Sequence, residues 1–161
     1  MKGPVAFFDK VREDQIYLGI EGGSREEVLR SIADRLVAKG VAKESFPDAL
    51  LAREAEYPTG LPLGGELNIA IPHAHPEHIN EITVTIAVPK SPVVFQEMGN
   101  KESEVTVQII VCLTLQKLDD NVKMLPALMD FFADEGNLQA ILRCKEPRQV
   151  MALLRGEEGP C

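Results

Sequence analysis

The chain of 161 residues has no tryptophan, few aromatic residues and only three histidines. Basic residues are scarce as well, since 17 Lys and Arg stand against 25 Asp and Glu and give a formal net charge of −8 at pH 7. Nucleic-acid-binding proteins neutralise phosphates with a basic surface, so this balance counts against DNA or RNA as a partner. No apolar run approaches the ~20 residues of a membrane-spanning helix, and no signal peptide is visible.

Cysteine is also scarce. The three cysteines, at positions 112, 144 and 161, are widely spaced and include no Cys-x-x-Cys pair. They do not make the disulfide framework of a small secreted protein, and we expect a cytoplasmic protein in a reducing environment. The motifs Gly-x-Ser-x-Gly, the P-loop and Gly-x-Gly-x-x-Gly are also absent, which counts against a serine hydrolase and against nucleotide binding.

What is present is the composition of an ordinary globular protein, with 45% apolar and 26% charged residues. We predict one domain over residues 1–161, ending in a flexible tail at 156–161. Ser24 and Glu27 make a capping box before the first helical pattern. The predicted elements are helices at 24–39, 45–56, 121–133, 135–143 and 147–155, strands at 15–20, 67–71, 82–88 and 104–115, and a connection at 89–100. This order predicts an α/β (α+β) fold in which helices flank a mixed β-sheet.

The three histidines, His73, His75 and His78, lie within six residues of one another. His73 follows the predicted strand at 67–71 and Pro72, whose fixed backbone angle restricts the chain there. Reactive groups of α/β proteins often stand at the end of a buried strand. An imidazole in this place could accept a phosphoryl group, act as a general base or bind a metal ion.

Residues before this strand could bind the oxygens of a phosphoryl group. Arg53 carries a planar fork of donors that suits them, and Thr59 and the backbone N–H of Gly60 could assist. Alternatively, Arg53 is a surface charge that pairs with Glu56 or Asp48. The three histidines could also form a His-x-His-x-x-His metal site, but prolines disturb their spacing and no second cluster of ligands completes a shell. We therefore expect no metal and no cofactor.

Two stretches carry a resemblance to a known family: Ala52-Arg53-Glu54-Ala55-Glu56-Tyr57-Pro58-Thr59-Gly60 and Ile69-Ala70-Ile71-Pro72-His73-Ala74. The succession of Arg-Glu, Thr-Gly and Ile-Ala-Ile-Pro-His resembles the type-2 enzyme IIA (EIIA) family, the fructose/mannitol type, of the bacterial phosphoenolpyruvate-dependent sugar phosphotransferase system (PTS). The order and length of the predicted elements agree over nearly the whole chain. Within the family, the stretch 49–60 looks most like galactitol-specific members.

The resemblance implies a phosphoryl carrier. In this family the histidine of the Ile-Pro-His motif, here His73, accepts a phosphoryl group from the phosphohistidine of the small carrier HPr, here expected through Nε2. It then passes the group to a cysteine of a IIB protein or domain. By the same resemblance, Arg53 stabilises the transferring group and Thr59 lies at the margin of the site. The implied sugar is galactitol or a related polyol, and the membrane component IIC is reached only through IIB.

One departure from the family concerns a second histidine, which many members carry on the helix after the long strand. Asn121 takes that place here, and His78 or His75 could substitute for the missing imidazole. An alternative function also follows from the resemblance, since the family includes regulatory proteins. Such a protein would control a partner through its phosphorylation state without sugar transport.

Overall fold

The computed structural model of the protein describes residues 3–116 and 121–157, without the side chains of residues 121–123. This part of the chain forms a seven-stranded mixed β-sheet and five α-helices. The strands are β1 (Ile16–Ile20), β2 (Gly60–Leu61), β3 (Ile69–Ala70), β4 (Thr83–Pro89), β5 (Val93–Glu97), β6 (Asn100–Val107) and β7 (Ile109–Thr114). The helices are α1 (Arg25–Ala38), α2 (Phe46–Glu56), α3 (Asn121–Phe132), α4 (Glu135–Arg143) and α5 (Pro147–Leu154).

Strands β4 and β7 lie inside the sheet, whose strand order is β1-β4-β7-β3-β2-β5-β6. They pair antiparallel, with Thr83 opposite Thr114 and Ala87 opposite Ile110. β1 joins β4 and β3 joins β7 in parallel register, which makes the sheet mixed, as predicted. Every residue of β7 is buried, an environment that its continuous apolar sequence requires.

Helices cover both faces of the sheet. On one face, α1 and α2 bury Leu36 and Leu50 in a core with Ile110 of β7. On the other, the C-terminal helices bury Phe132 and Val150 in a second core. The predicted fold class, a mixed sheet flanked by helices, is therefore confirmed. Within the described ranges, no helix is long and apolar enough to cross a bilayer.

Each helix begins and ends within one residue of the bounds predicted from the sequence. At the start of α1, the Ser24 hydroxyl accepts the N–H of Glu27 at 3.2 Å, as a capping box requires. The Glu27 carboxylate accepts the N–H of Gly23 at 3.3 Å, one residue earlier than the capping box predicts. The first of these bonds satisfies a donor that a helix start would otherwise leave unpaired.

Two strand predictions are wrong. The predicted connection at 89–100 contains β5, in which Val93 and Phe95 are buried and which forms a hairpin with β6. The turn residues around Gly99, whose φ is +79°, made the whole segment resemble a connection, although it contains this short alternating pattern. The predicted strand at 104–115 is two strands, because Gln108 leaves the ladder: its N–H and side-chain oxygen bind the backbone of Asn68 at 3.1 and 2.7 Å.

The strand predicted at 67–71 is also shorter than expected, and β2 was not predicted. Gly60 of β2 pairs with Ala70 of β3 in antiparallel register. Pro62 and Pro72 have no N–H to extend these two ladders, so each strand has two residues. Glycine is required at position 60, because a Cβ there would lie 2.6 Å from the carbonyl oxygen of Gln96 in β5.

The segment predicted as a flexible tail, 156–161, begins with two hydrogen-bonded residues. The N–H groups of Gly156 and Glu157 bind the carbonyls of Leu153 and Ala152 at 3.0 and 3.1 Å. These bonds close the last turn of α5. Residues 158–161 lie outside the described part of the chain.

Candidate functional site

His73 stands just beyond the end of β3, beside the central strand β7. It forms an isolated parallel bridge with Leu113, whose N–H donates to the carbonyl of Pro72 at 3.0 Å. The backbone of the histidine is thus fixed to the most buried strand of the sheet. Its side chain is half-buried, so the core holds the residue in place while the ring reaches the surface.

The ring of His73 has a defined orientation. Its Nδ1 lies 3.0 Å from the carbonyl oxygen of Ile71. A carbonyl oxygen can only accept, so Nδ1 carries the proton and the neutral ring has its free electron pair on Nε2. A nucleophilic histidine needs this arrangement, in which one ring nitrogen is held and the other is available.

His73 lines a pocket of about 240 Å³ with apolar walls. The other described residues that line it are Ile71, Met98, Leu113, Leu115 and Leu125. Met98 also borders a second pocket of about 270 Å³, together with Tyr57. Tyr57 is 55% exposed and Met98 is 41% exposed, so these two side chains form an exposed apolar face beside the pocket of the histidine. The second pocket is also lined by the polar residues Glu56, Asn100 and Lys101.

Arg53 lies in the last turn of α2 and is exposed. Its guanidinium carbon lies 4.7 Å from the centre of the Tyr57 ring, in a cation–π contact. The expected alternative partner Asp48 instead binds Arg30 at 2.9 Å. Within the described ranges, the Arg53 side chain makes no hydrogen bond or ion pair, so its donors are available to an anion.

Thr59 is almost fully buried, and its donors are used by Glu54, a residue that the sequence patterns did not single out. The Thr59 N–H donates to Glu54 Oε2 at 2.7 Å, and its hydroxyl donates to Oε1 at 2.8 Å. The Thr59 carbonyl accepts the N–H of Ile71 at 3.3 Å. Thr59 therefore lies beside the histidine-bearing segment and supports it through the backbone.

A signal for Glu54 was present in the spacing of α2. Phe46, Leu50 and Glu54 follow one another at intervals of four and form one buried stripe of that helix. A carboxylate on such a stripe is unusual and indicates a specific partner. That partner is Thr59, five residues further along the chain.

Burial raises the pKa of Glu54 to about 7, because it penalises the charged carboxylate. The hydrogen bonds from Thr59 and the charge of Arg25 act in the opposite direction. Glu54 also raises the pKa of the buried Cys112 thiol on β7, after the larger effect of burial. Glu54 thus lies between α2 and the sheet, on the side of α1.

The other two histidines have partners of their own. His78 Nδ1 lies 2.7 Å from the Ser45 hydroxyl, and its Nε2 lies 3.4 Å from the Glu77 carboxylate. The side chain of His75 is 68% exposed, and its Nδ1 accepts the N–H of Glu77 at 3.3 Å. Within residues 3–116 and 121–157, no group of three or more His, Cys, Asp or Glu side chains is placed to hold a metal ion. The alternative of a three-histidine metal site thus has no support in the geometry.

Asn121, the predicted replacement for the second histidine, is the first residue of α3. Its side chain lies outside the described part of the structure. Leu125, four residues further along α3, lines the pocket of His73. The role of Asn121 stays a prediction.

The variant Glu54→Gln tests the energetics of this buried carboxylate. The Glu54 pKa is about 7 in the folded state and near 4.5 without the fold, so the folded state binds more protons between these values. The free energy of unfolding should therefore decrease as pH rises from about 5 to 8, by about 3 kcal/mol from this group. The glutamine variant should lack this decrease.

Urea unfolding of both proteins at several pH values measures this difference. The exposed Glu44→Gln is the matched control for a loss of one charge, and it should keep the pH dependence of the wild type. Parallel stability curves for wild type and Glu54→Gln would contradict the prediction.

Known proteins resemble this chain in sequence and in fold. The family model "Phosphoenolpyruvate-dependent sugar phosphotransferase system, EIIA 2" matches residues 10–156. The galactitol-specific EIIA component of Escherichia coli strain K12 is 36% identical over 110 residues, which are 68% of this chain and 72% of that protein.

Two solved structures share the fold. One is a complex of enzyme IIAMTL and phosphorylated enzyme IIBMTL from Escherichia coli, with a TM-score of 0.74 at 21% identity, covering 92% of this chain and 99% of that one. The other is the nitrogen regulatory protein IIA-Ntr from Neisseria meningitidis, with a TM-score of 0.73 at 21% identity, covering 91% and 97%. The family match, the galactitol-specific relative and the shared fold lead to one conclusion. The chain belongs to the EIIA 2 family of the phosphoenolpyruvate-dependent sugar phosphotransferase system and is a phosphotransferase component of that system.

Proposed function

We propose that the chain carries a phosphoryl group on Nε2 of His73, between phospho-HPr and a cysteine of a IIB protein. The observation that supports this most is the bond between His73 Nδ1 and the Ile71 carbonyl, which leaves the electron pair on Nε2. Family membership supplies the class of reaction, and the geometry supplies a nucleophile suited to it.

In the first step, the electron pair of Nε2 attacks the phosphorus of phospho-HPr, and the donor's N–P bond breaks. In the second step, a thiolate of IIB attacks the same phosphorus, and the His73 N–P bond breaks. Nδ1 keeps its proton throughout, so the leaving imidazole of His73 is neutral in the second step. Such in-line transfer depends on positioning and charge stabilisation, and it requires neither metal nor cofactor in this chain.

Arg53 supplies the positive charge in this proposal. Its guanidinium is held on the Tyr57 ring and has no carboxylate partner among the described residues, so it can bind the phosphoryl oxygens. Because Thr59 is buried and bound to Glu54, we assign it a supporting place at the margin of the site. Both ring nitrogens of His78 have partners of their own, Ser45 at Nδ1 and Glu77 at Nε2, so we assign it no direct role.

The apolar face with Tyr57 and Met98 is the surface on which HPr and IIB would dock in turn. The solved complex of a protein with the same fold and its phosphorylated IIB supports a IIB partner. Contact with the membrane component IIC would be indirect, through IIB, and HPr and IIB would be met in the cytoplasm. The galactitol-specific relative supports galactitol or a related polyol as the transported sugar.

The first test is the intact mass of the protein after incubation with phosphoenolpyruvate, enzyme I and HPr. The wild type should gain one acid-labile phosphoryl group and His73→Ala none, because His73 is the proposed acceptor and its Nδ1 is held by the Ile71 carbonyl. His75→Ala is the matched control, since the His75 ring is exposed and bound to Glu77. A His73→Ala protein that is still phosphorylated would contradict the proposal.

Addition of a IIB protein extends the test to the regulatory alternative. A transport component loses its phosphoryl group to the IIB cysteine, whereas a regulator keeps it.

The contribution of Arg53 is measurable as the single-turnover rate of transfer from phospho-HPr. Arg53→Ala should lower this rate by roughly 100- to 1000-fold, because the developing charge on the phosphoryl oxygens is no longer balanced. The rate of Arg53→Lys should lie between those of the wild type and Arg53→Ala, since lysine keeps the charge but loses the planar fork. Arg30→Ala removes an exposed arginine of α1 and is the control. A rate for Arg53→Ala equal to that of the control would refute this role.

A further inference from the structure

A continuous chain of contacts connects a buried carboxylate to the ring of His73. Glu54 accepts both donors of Thr59, at 2.7 and 2.8 Å. The Thr59 carbonyl accepts the N–H of Ile71 at 3.3 Å, and the Ile71 carbonyl lies 3.0 Å from His73 Nδ1. Each step is a hydrogen bond, and the first two side chains are buried, so water does not compete for their bonds.

The same carboxylate also fixes the segment that carries the arginine. Glu54 follows Arg53 in the last turn of α2, and its bonds to Thr59 close the chain around Tyr57. The Tyr57 N–H donates to the Arg53 carbonyl at 2.7 Å, and the Tyr57 ring supports the guanidinium. Tyr57 and Arg53 therefore belong to the small structural unit that Glu54 and Thr59 hold closed.

Glu54 does not touch the reacting groups itself. It is not among the described residues that line the pocket of His73, and only 3% of it is exposed. Its two oxygens both accept from Thr59, and neither binds His73 or Arg53. An effect of this residue on phosphoryl transfer must act through Thr59.

We propose that Glu54 is a positioning residue for phosphoryl transfer: through Thr59 and Ile71 it fixes the His73 ring relative to Arg53. This inference rests on the proposed function for its effect on rate. The orientation of the ring, in contrast, is a property of the protein alone. Two independent readouts are therefore available.

The variants follow from the contacts. Glu54→Gln keeps the shape of the side chain but sets an amide N–H₂ group against a donor of Thr59. Thr59→Val removes the hydroxyl donor, and Thr59→Ser restores it. Glu44→Gln, an exposed residue before α2, is the control for the loss of one charge. Circular dichroism and thermal unfolding confirm that each variant is folded before it is assayed.

The first readout is the rate of phosphoryl transfer from phospho-HPr as a function of donor concentration. Glu54→Gln and Thr59→Val should each lower the maximal rate by roughly 10- to 100-fold, because small displacements of reacting groups are costly. The concentration for half-maximal rate should change by less than about twofold, since the docking face is intact. Thr59→Ser should recover most of the rate, and the double variant should be no slower than the slower single variant.

The second readout is the ¹⁵N spectrum of the His73 ring in the unphosphorylated protein. In the wild type at a pH where the ring is neutral, the proton should reside on Nδ1, bound to the Ile71 carbonyl. In Glu54→Gln the ring should show a mixture of the two neutral forms. Thr59→Ser and Glu44→Gln should give the wild-type spectrum.

Both a lower rate and a changed ring spectrum are needed to support the proposal. A changed rate with an unchanged spectrum would overturn it, as would a changed spectrum with an unchanged rate. If the wild type accepts no phosphoryl group, the proposed function fails, and the spectrum alone decides the positioning role. An unchanged ring in Glu54→Gln would then overturn that role as well.

Discussion

The pair of hydrogen bonds between Glu54 and Thr59 is the interaction on which the proposed site depends. It fixes the end of the arginine-bearing helix α2 to the segment that passes through β2 and β3 to His73. A carboxylate in this environment opposes folding at neutral pH, because burial raises its pKa to about 7. The proposed site needs a helix residue, Arg53, and a strand-end residue, His73, in one fixed geometry. That need gives a reason to retain a buried carboxylate despite its cost in stability.

The other contacts of the described residues fit the proposed phosphoryl carrier. The sheet supplies rigidity, since β7 is buried throughout and pairs directly with the segment that holds His73. The backbone carbonyl of Ile71 binds Nδ1 of His73 and leaves Nε2 available, and the Arg53 side chain lies exposed beside Tyr57 without an ion pair among the described residues. The exposed apolar face of Tyr57 and Met98 is the surface on which the proposed partners would dock.

Much of the fold could be predicted from the sequence, and the predictions that were wrong or missing have physical causes. The helices, β4 and the place of His73 after a strand were predictable because each rests on a local pattern: periodicity, a cap, or a motif of adjacent residues. β5 and the break at Gln108 depend on pairing with distant segments, which no local pattern contains. Glu54 was missed because a single helix glutamate is usually exposed, and only the buried stripe of Phe46 and Leu50 distinguishes it.

The central claim is that the bond from His73 Nδ1 to the Ile71 carbonyl decides which nitrogen reacts. The most direct measurement is the nitrogen–phosphorus connectivity in ¹⁵N-labelled protein that has been phosphorylated through HPr, observed by NMR. The account predicts phosphorus on Nε2 and a proton on Nδ1 that is still bound to Ile71. Phosphorus on Nδ1 would contradict it, because the ring would then have left the only orientation that these contacts support.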